Sequence, residues 1–315
     1  MANTARPPVR DTRARSGAKA RAPDPRAART TRALGRALVT LLEERAFDAI
    51  TVQDILDRAG VGRTAPAGAA VRPGDRVAAF PGLGGFAEVV AVDPHLVFPL
   101  PDAVSFAAGA ALPMNYLTVH FALVRRGALQ PGETVLVHGA AGGVGTAAVQ
   151  LAAALGARVV AVVSSPEKAA VATAAGAHET VSADGFLARV KELTDGAGVD
   201  VVVDPVGGDR FTDSLRSLRA EGRLLVIGFT GGEIPTVRAN RLLLRNTAVV
   251  GVGWGAFWQG RPEYPRAQWD DLLPLLRDGR IDPPIGSVHP LAEAAAALAE
   301  IDGRRATGKV VLAVR

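Results

Sequence analysis

The spacing of apolar positions changes more than once along the chain, and each change marks a different kind of element. Leu34, Leu38, Leu41 and Leu42 recur at helical spacing and predict an amphipathic helix ending near Phe47. A second helix is expected beyond it. Thr51 and Asp54 form a capping pair, Ile55 and Leu56 supply a buried side, and Gly60 stands where a C-terminal cap turns the chain. From Val71 the pattern shifts to alternation. Val71-Arg-Pro-Gly-Asp-Arg-Val77 and Gly84-Gly-Phe-Ala-Glu-Val-Val-Ala-Val92 predict short antiparallel, barrel-like strands. A helical segment follows from Ser105 to Arg126. Apolar runs then predict strands at Thr134 to His138, Arg158 to Val163, Val199 to Asp204, Arg223 to Ile227 and Thr247 to Val252, with helices such as Val144 to Leu155 and Pro166 to Ala175 between them. Strands joined by helical crossovers make parallel units, so the class is α/β with a doubly wound parallel sheet.

Composition narrows this picture. The chain has 315 residues, room for roughly two domains, and no cysteine, which excludes disulfides and thiolate zinc sites. No run of uninterrupted apolar residues is long enough to cross a membrane, and the N-terminus has arginine and proline where a secretory signal needs an apolar run, so a soluble cytoplasmic protein is expected. The net charge of +5 is concentrated at the front: residues 1–32 hold nine Arg or Lys against two Asp, or +7, leaving −2 for the rest. Residues 1–25 therefore read as a disordered basic tail, and the bulk of the chain is not built to bind a polyanion.

One motif carries chemistry. Strand Thr134-Val-Leu-Val-His138 runs into Gly139-Ala-Ala-Gly-Gly-Val-Gly145 and then a helix, the setting of a dinucleotide-binding turn. Gly142 and Gly145 take the second and third glycine positions, while Ala140 replaces the first. Gly142, Gly143, Val144 and Gly145 would bring backbone N–H groups and a helix N-terminus to a pyrophosphate. At the next strand tip, where an NAD site places an acid on the ribose, the sequence reads Val163-Ser-Ser-Pro-Glu-Lys168. Ser164, Ser165 and Lys168 favour a 2′-phosphate, hence NADPH. Glu167 keeps NADH open as an alternative, unless it only complements the helix dipole.

Two resemblances follow from these residues. The stretch Leu41-Leu-Glu-Glu-Arg-Ala-Phe47 through Ile50-Thr-Val-Gln-Asp-Ile-Leu-Asp-Arg-Ala-Gly-Val-Gly-Arg-Thr64 resembles the helix-turn-helix opening of tetracycline-repressor-type regulators, and residues 26–64 are assigned to it. That family's recognition helix would start near Val61, but Pro66 and Gly68 cut it at about one turn, which argues against sequence-reading DNA binding. Residues 71–315 resemble zinc-free quinone reductases of the medium-chain dehydrogenase/reductase superfamily, which also includes enoyl reductase domains. The carrying segments are Arg72-Pro-Gly-Asp-Arg-Val77, Ala111-Leu-Pro-Met-Asn-Tyr-Leu-Thr118, the Ala140 to Gly145 turn, Asp204-Pro-Val-Gly-Gly208, Ile227-Gly-Phe229, Asn240-Arg-Leu-Leu-Leu244 and Gly308-Lys-Val-Val-Leu312.

This second resemblance implies a Rossmann domain over residues 114–252 and part of a GroES-like barrel over residues 71–113 and 253–315. It implies hydride transfer from NADPH to a quinone or an α,β-unsaturated carbonyl, with no metal. Tyr116 and Thr118 would lie near the nicotinamide, with Tyr116 offering a hydroxyl to the acceptor, and Val206 and Phe229 would line the cofactor groove. Tyr116 and Phe229 also fit as plain core aromatics. Ala183 stands where relatives often carry an adenine-packing tyrosine, and the regulator-like helices stand where relatives build the first half of the barrel, so weak turnover is expected. The apolar strand Thr247 to Val252 would form a sheet edge and predicts a homodimer. Two other readings stay open: a DNA-binding regulator that senses cofactor through its Rossmann part, and an inactive cofactor-binding remnant.

Overall fold

The computed structural model describes residues 33, 36–41, 43–45, 49, 52–59 and 71–314. The basic tail, the expected helix end near Phe47 and the truncated recognition helix from Val61 lie outside the described residues. The chain divides into two compact units, Met1–Thr64 and Ala65–Arg315. In the first, residues 36–41 are helical and bury Ala37 and Leu41, as the leucine spacing requires. Helix α1 (Val52–Ala59) follows, and Arg58 grips Glu44 with two hydrogen bonds of 2.8 and 2.5 Å.

The second unit begins with β1 (Val77–Ala79) and β2 (Val97–Pro99), an antiparallel ladder pairing Val77 with Pro99. The strand expected over Gly84 to Val92 does not form, and the alternation at Val71 to Val77 yields only the start of β1. A strand needs a partner edge to satisfy its N–H and C=O groups, and among the described residues no strand pairs with this stretch. Leu83, Phe86, Val89 and Val90 are exposed there.

Helix α2 (Phe106–His120) starts at Ser105, whose hydroxyl accepts from Ala108 N, and runs on into a π-helical turn, Phe121–Arg126. Residues 106–126 are long and apolar enough to cross a membrane, yet 78% of that window is buried inside the unit, as befits a core helix.

Next come β3 (Thr134–Val137), α3 (Gly143–Ala154), β4 (Arg158–Val163), α4 (Pro166–Ala174), β5 (Glu179–Ser182), α5 (Phe186–Leu193), β6 (Val199–Asp204), α6 (Phe211–Ser217), β7 (Leu218–Val226), α7 (Ala239–Leu243) and β8 (Ala248–Gly251). The six strands form one parallel sheet in the order β5-β4-β3-β6-β7-β8. Its two faces bury separate cores. Val135, Val137, Val159, Ala161, Val201 and Val203 join one cluster; Leu136, Val160, Val162 and Val202 join the other. A strand sends alternate side chains to opposite faces, so runs that are apolar at every position are what a sheet covered on both sides requires.

Helices α8 (Trp254–Trp258) and α9 (Tyr264–Arg277) lead to β9 (Ile285–Pro290), α10 (Ala294–Asp302) and β10 (Lys309–Ala313), with β9 and β10 paired in parallel. The barrel-type elements are thus two separate two-stranded ladders. The core cluster on one sheet face also contains Ala78, Phe98 and Trp269, so the sheet and the β1–β2 ladder share one interior.

Candidate functional site

In the order β5-β4-β3-β6-β7-β8, the chain reverses its winding direction between β3 and β6, and ligands of such sheets sit outside the strand C-termini at that switch point. Gly139 leaves β3 at φ +58°, and Gly142 caps α3 without a side chain. A Cβ on Gly145 would stand 2.0 Å from the Gly139 carbonyl oxygen, so only glycine lets α3 start this close to the strand. Ala140, in the first glycine position, is fully buried.

Three groups converge on the turn. Asn115 Nδ2 comes within 2.6 Å of where a Gly143 Cβ would stand, and the Lys309 side chain reaches 3.6 Å from the same point. Gly308 N donates to the Ala141 carbonyl, which pins the start of β10 against the turn. The Lys309 ammonium has no hydrogen-bond or ion-pair partner among the described residues, and burial pushes its pKa down. An uncompensated cation beside exposed helix N–H groups is a site for an anion. Lys309 lies in the Gly308 to Leu312 motif with no role legible from spacing, because its contact with the turn depends on a ladder far along the chain.

Across the crevice, Asp204 is buried and accepts from Val206 N and Gly207 N at 2.9 and 2.8 Å. This holds Val206 with its Cγ2 3.3 Å from the Gly139 Cβ position. Phe229, 39% exposed, lies against Gly207, so Gly139, Val206 and Phe229 line one groove. At the tip of β4, Lys168 Nζ donates to Ser164 Oγ at 3.3 Å and to the Arg304 carbonyl at 3.1 Å. Ser165 caps α4 by accepting from Lys168 N. Glu167 is held below the usual carboxylate range mainly by a hydrogen bond from Ser165. The turn carrying Arg304 therefore brings its backbone against Lys168, a contact that spacing alone did not reveal. Ala183, at the end of β5, is buried and leaves no ring for an adenine to pack on.

Tyr116 and Thr118 part company. Two residues apart on α2, they point to different sides of the helix. Tyr116 is 1% exposed, donates its hydroxyl to Gln150 Oε1 at 2.5 Å, and has its pKa pushed up by burial. It sits as a core aromatic fastening α2 to α3, the place that the sequence also allowed for it. The hydroxyl of Thr118 is buried with no partner. Thr118 shares a helix side with Asn115, three residues earlier, which abuts the glycine turn.

An orphaned hydroxyl, a glycine cradle, a half-buried ammonium without a partner among the described residues and a serine–lysine cluster fit a phosphorylated dinucleotide. Among the described residues no group of three or more His, Cys, Asp or Glu could hold a metal ion.

Comparison with known proteins agrees with this geometry. A family described as zinc-binding dehydrogenase matches residues 143–277. The chain is 42% identical over 249 residues to quinone oxidoreductase-like protein 2 of Bos taurus, covering 78% of this chain and 71% of that one. It is 36% identical over 298 residues to a quinone oxidoreductase of Pseudomonas aeruginosa, covering 92% of each. Among solved structures, a probable oxidoreductase from Mycobacterium abscessus superposes with a TM-score of 0.72 at 42% identity, covering 80% of this chain and 77% of that one. The Escherichia coli quinone oxidoreductase complexed with NADPH gives 0.70 at 30% identity, covering 78% and 77%. With its switch-point crevice, its glycine cradle and these relatives, the chain belongs to the quinone oxidoreductases of the medium-chain dehydrogenase/reductase superfamily.

Proposed function

We propose that this protein binds NADPH and transfers hydride, without a metal, to a quinone or an α,β-unsaturated carbonyl compound. The observation that carries the cofactor choice is the tip of β4. There Lys168 reaches Ser164 and the Arg304 carbonyl, and the strand ends in Ser164 and Ser165 with no carboxylate at its tip for a ribose diol. The related Escherichia coli enzyme complexed with NADPH supports the same choice. Bound NADPH supplies the hydride.

The chain's own residues bind, orient and exclude water. The N-terminus of α3 and Lys309 offset the pyrophosphate charge, while Ser164, Ser165 and Lys168 take the 2′-phosphate. Thr118 offers its unpartnered hydroxyl to the cofactor, and Val206 and Phe229 cover the groove with apolar surface. Holding donor and acceptor in line is the protein's main contribution in such chemistry, so no nucleophile is assigned. With Tyr116 committed to Gln150, the proton that completes reduction comes from solvent. The lack of cysteine and of a ligand cluster among the described residues supports metal independence.

Titration of the purified protein with NADPH and NADH by intrinsic fluorescence, followed by stopped-flow mixing with a benzoquinone, tests this reading. Tight NADPH binding with quinone-dependent oxidation is expected; absence of NADPH binding overturns it.

A further inference from the structure

Away from the glycine turn, α2 passes into the π-helical turn Phe121–Arg126, where Gly127 N reaches back to the Ala122 carbonyl. Such a turn inserts an extra residue and re-aims side chains, and it recurs at functional sites. Between it and α9 lies a cleft of about 550 Å³ lined by His120, Arg125, Arg126, Tyr264, Gln268 and Asp271. That volume is in the range of small-molecule sites.

The polar groups of the cleft fall into two sets. One is spent internally. Trp254 Nε1 donates to Gln268 Oε1 at 2.8 Å, which fixes the amide, so Gln268 Nε2 donates to the Leu117 carbonyl and faces His120 Nδ1 at 3.1 Å. His120 Nδ1 is then an acceptor, and its Nε2–H points to Asp271 at 3.3 Å. The other set is unspent. The Arg125 guanidinium lies 4.7 Å from the Phe257 ring centroid and 5.8 Å from that of Tyr264. It has no hydrogen bond or ion pair among the described residues. Arg126 uses only Nε, on the Gly251 carbonyl at 2.9 Å, and the Tyr264 hydroxyl is also without a partner among them. A guanidinium steadied by aromatic faces with its donor fork unused is pre-organised for a planar oxyanion.

We propose that this cleft is a second ligand site, separate from the cofactor crevice, which takes a small organic carboxylate on the Arg125 fork with Arg126 and Tyr264 beside it. A carboxylate is favoured over a phosphate dianion because the Asp271 carboxyl group lines the same cleft, and like charges oppose a more highly charged ligand.

The test is a calorimetric titration of the full chain with benzoate, and separately with inorganic phosphate, at constant ionic strength. Saturable benzoate binding, tighter than phosphate, is expected. Arg125→Met keeps the stem on the rings and should weaken benzoate by about tenfold or more, while Arg125→Lys, which keeps charge without the fork, should weaken it several-fold. The urea midpoint of each variant reports whether it is folded. Three results overturn the site as proposed: no saturable benzoate binding at millimolar concentration, unchanged affinity in both folded variants, or phosphate binding tighter than benzoate.

Discussion

Two charged side chains differ in what the sequence could say about them. Lys168 follows Ser164 and Ser165 at a strand tip, and spacing was enough to place it; the structure adds its contact with the Arg304 carbonyl. Replacing Lys168 with alanine removes a charge-assisted contact worth about 1.5 to 3 kcal/mol. NADPH affinity should fall by about tenfold or more while NADH affinity stays put, and paired titrations read the difference directly. His138, next to the glycine turn, gave no such signal. It is buried, with Nε2 2.8 Å from Ser214 Oγ and Nδ1 without a partner, and burial pushes its pKa down to about 4 against an opposing pull from Asp204. Ser214 Oγ also donates to the Arg210 carbonyl, so His138 Nε2 is the donor of that pair. Between pH 6.5 and 4 the unfolded chain therefore takes a proton that the folded one refuses. Stability conferred by the neutral imidazole is present above that window and lost as pH falls through it, by about 3 kcal/mol. Urea midpoints at several pH values should show this slope, and His138→Asn should flatten it. The carboxylates lowered by Arg223 and His289, Glu133 and Glu300, lose their share at lower pH, which keeps the two effects apart.

At the level of elements, legibility followed burial. Strands β3, β4 and β6 were readable because a sheet covered on both faces favours apolar residues on both sides of a strand, and the runs Val135 to Val137, Val159 to Val163 and Val201 to Val203 carry that pattern. The Gly84 to Val92 alternation was equally regular and made no strand, since alternation states which face a strand would bury but not whether a partner edge exists. The Tyr116 motif was ambiguous for a related reason: it named the helix, not the side of it. Strand β8 is the informative middle case. It closes the sheet with β7 on one side and, among the described residues, no partner strand on the other. An apolar, unprotected edge is a pairing surface. Two copies joined along β8 would make one continuous sheet, and light scattering should return roughly twice 32.5 kDa at micromolar concentration, with the monomer mass as the contrary result.

For the whole molecule, the cofactor crevice and the acceptor side stand in different condition. Every group proposed to hold NADPH comes from the sheet, from α2, α3 and α4, or from the chain around Gly308, and these share one buried core or a fixed hydrogen bond to it. The acceptor side depends on the barrel-type elements, which are two short ladders and an irregular stretch. There Leu83 is 90%, Phe86 63% and Val288 55% exposed. Apolar side chains so placed do not enclose a reacting pair, and hydride transfer gains much of its rate from a closed, dry site. NADPH should therefore bind with the affinity of a formed site while quinone-dependent oxidation in stopped flow runs well below that of a relative such as the Pseudomonas aeruginosa quinone oxidoreductase assayed in parallel. Equal rates would mean that Phe80, Trp254 and Trp258, which pack together just past the end of β8, suffice to seal the acceptor. A slow rate with normal NADPH affinity would locate the deficit in the barrel and leave the Rossmann half intact as a working cofactor site.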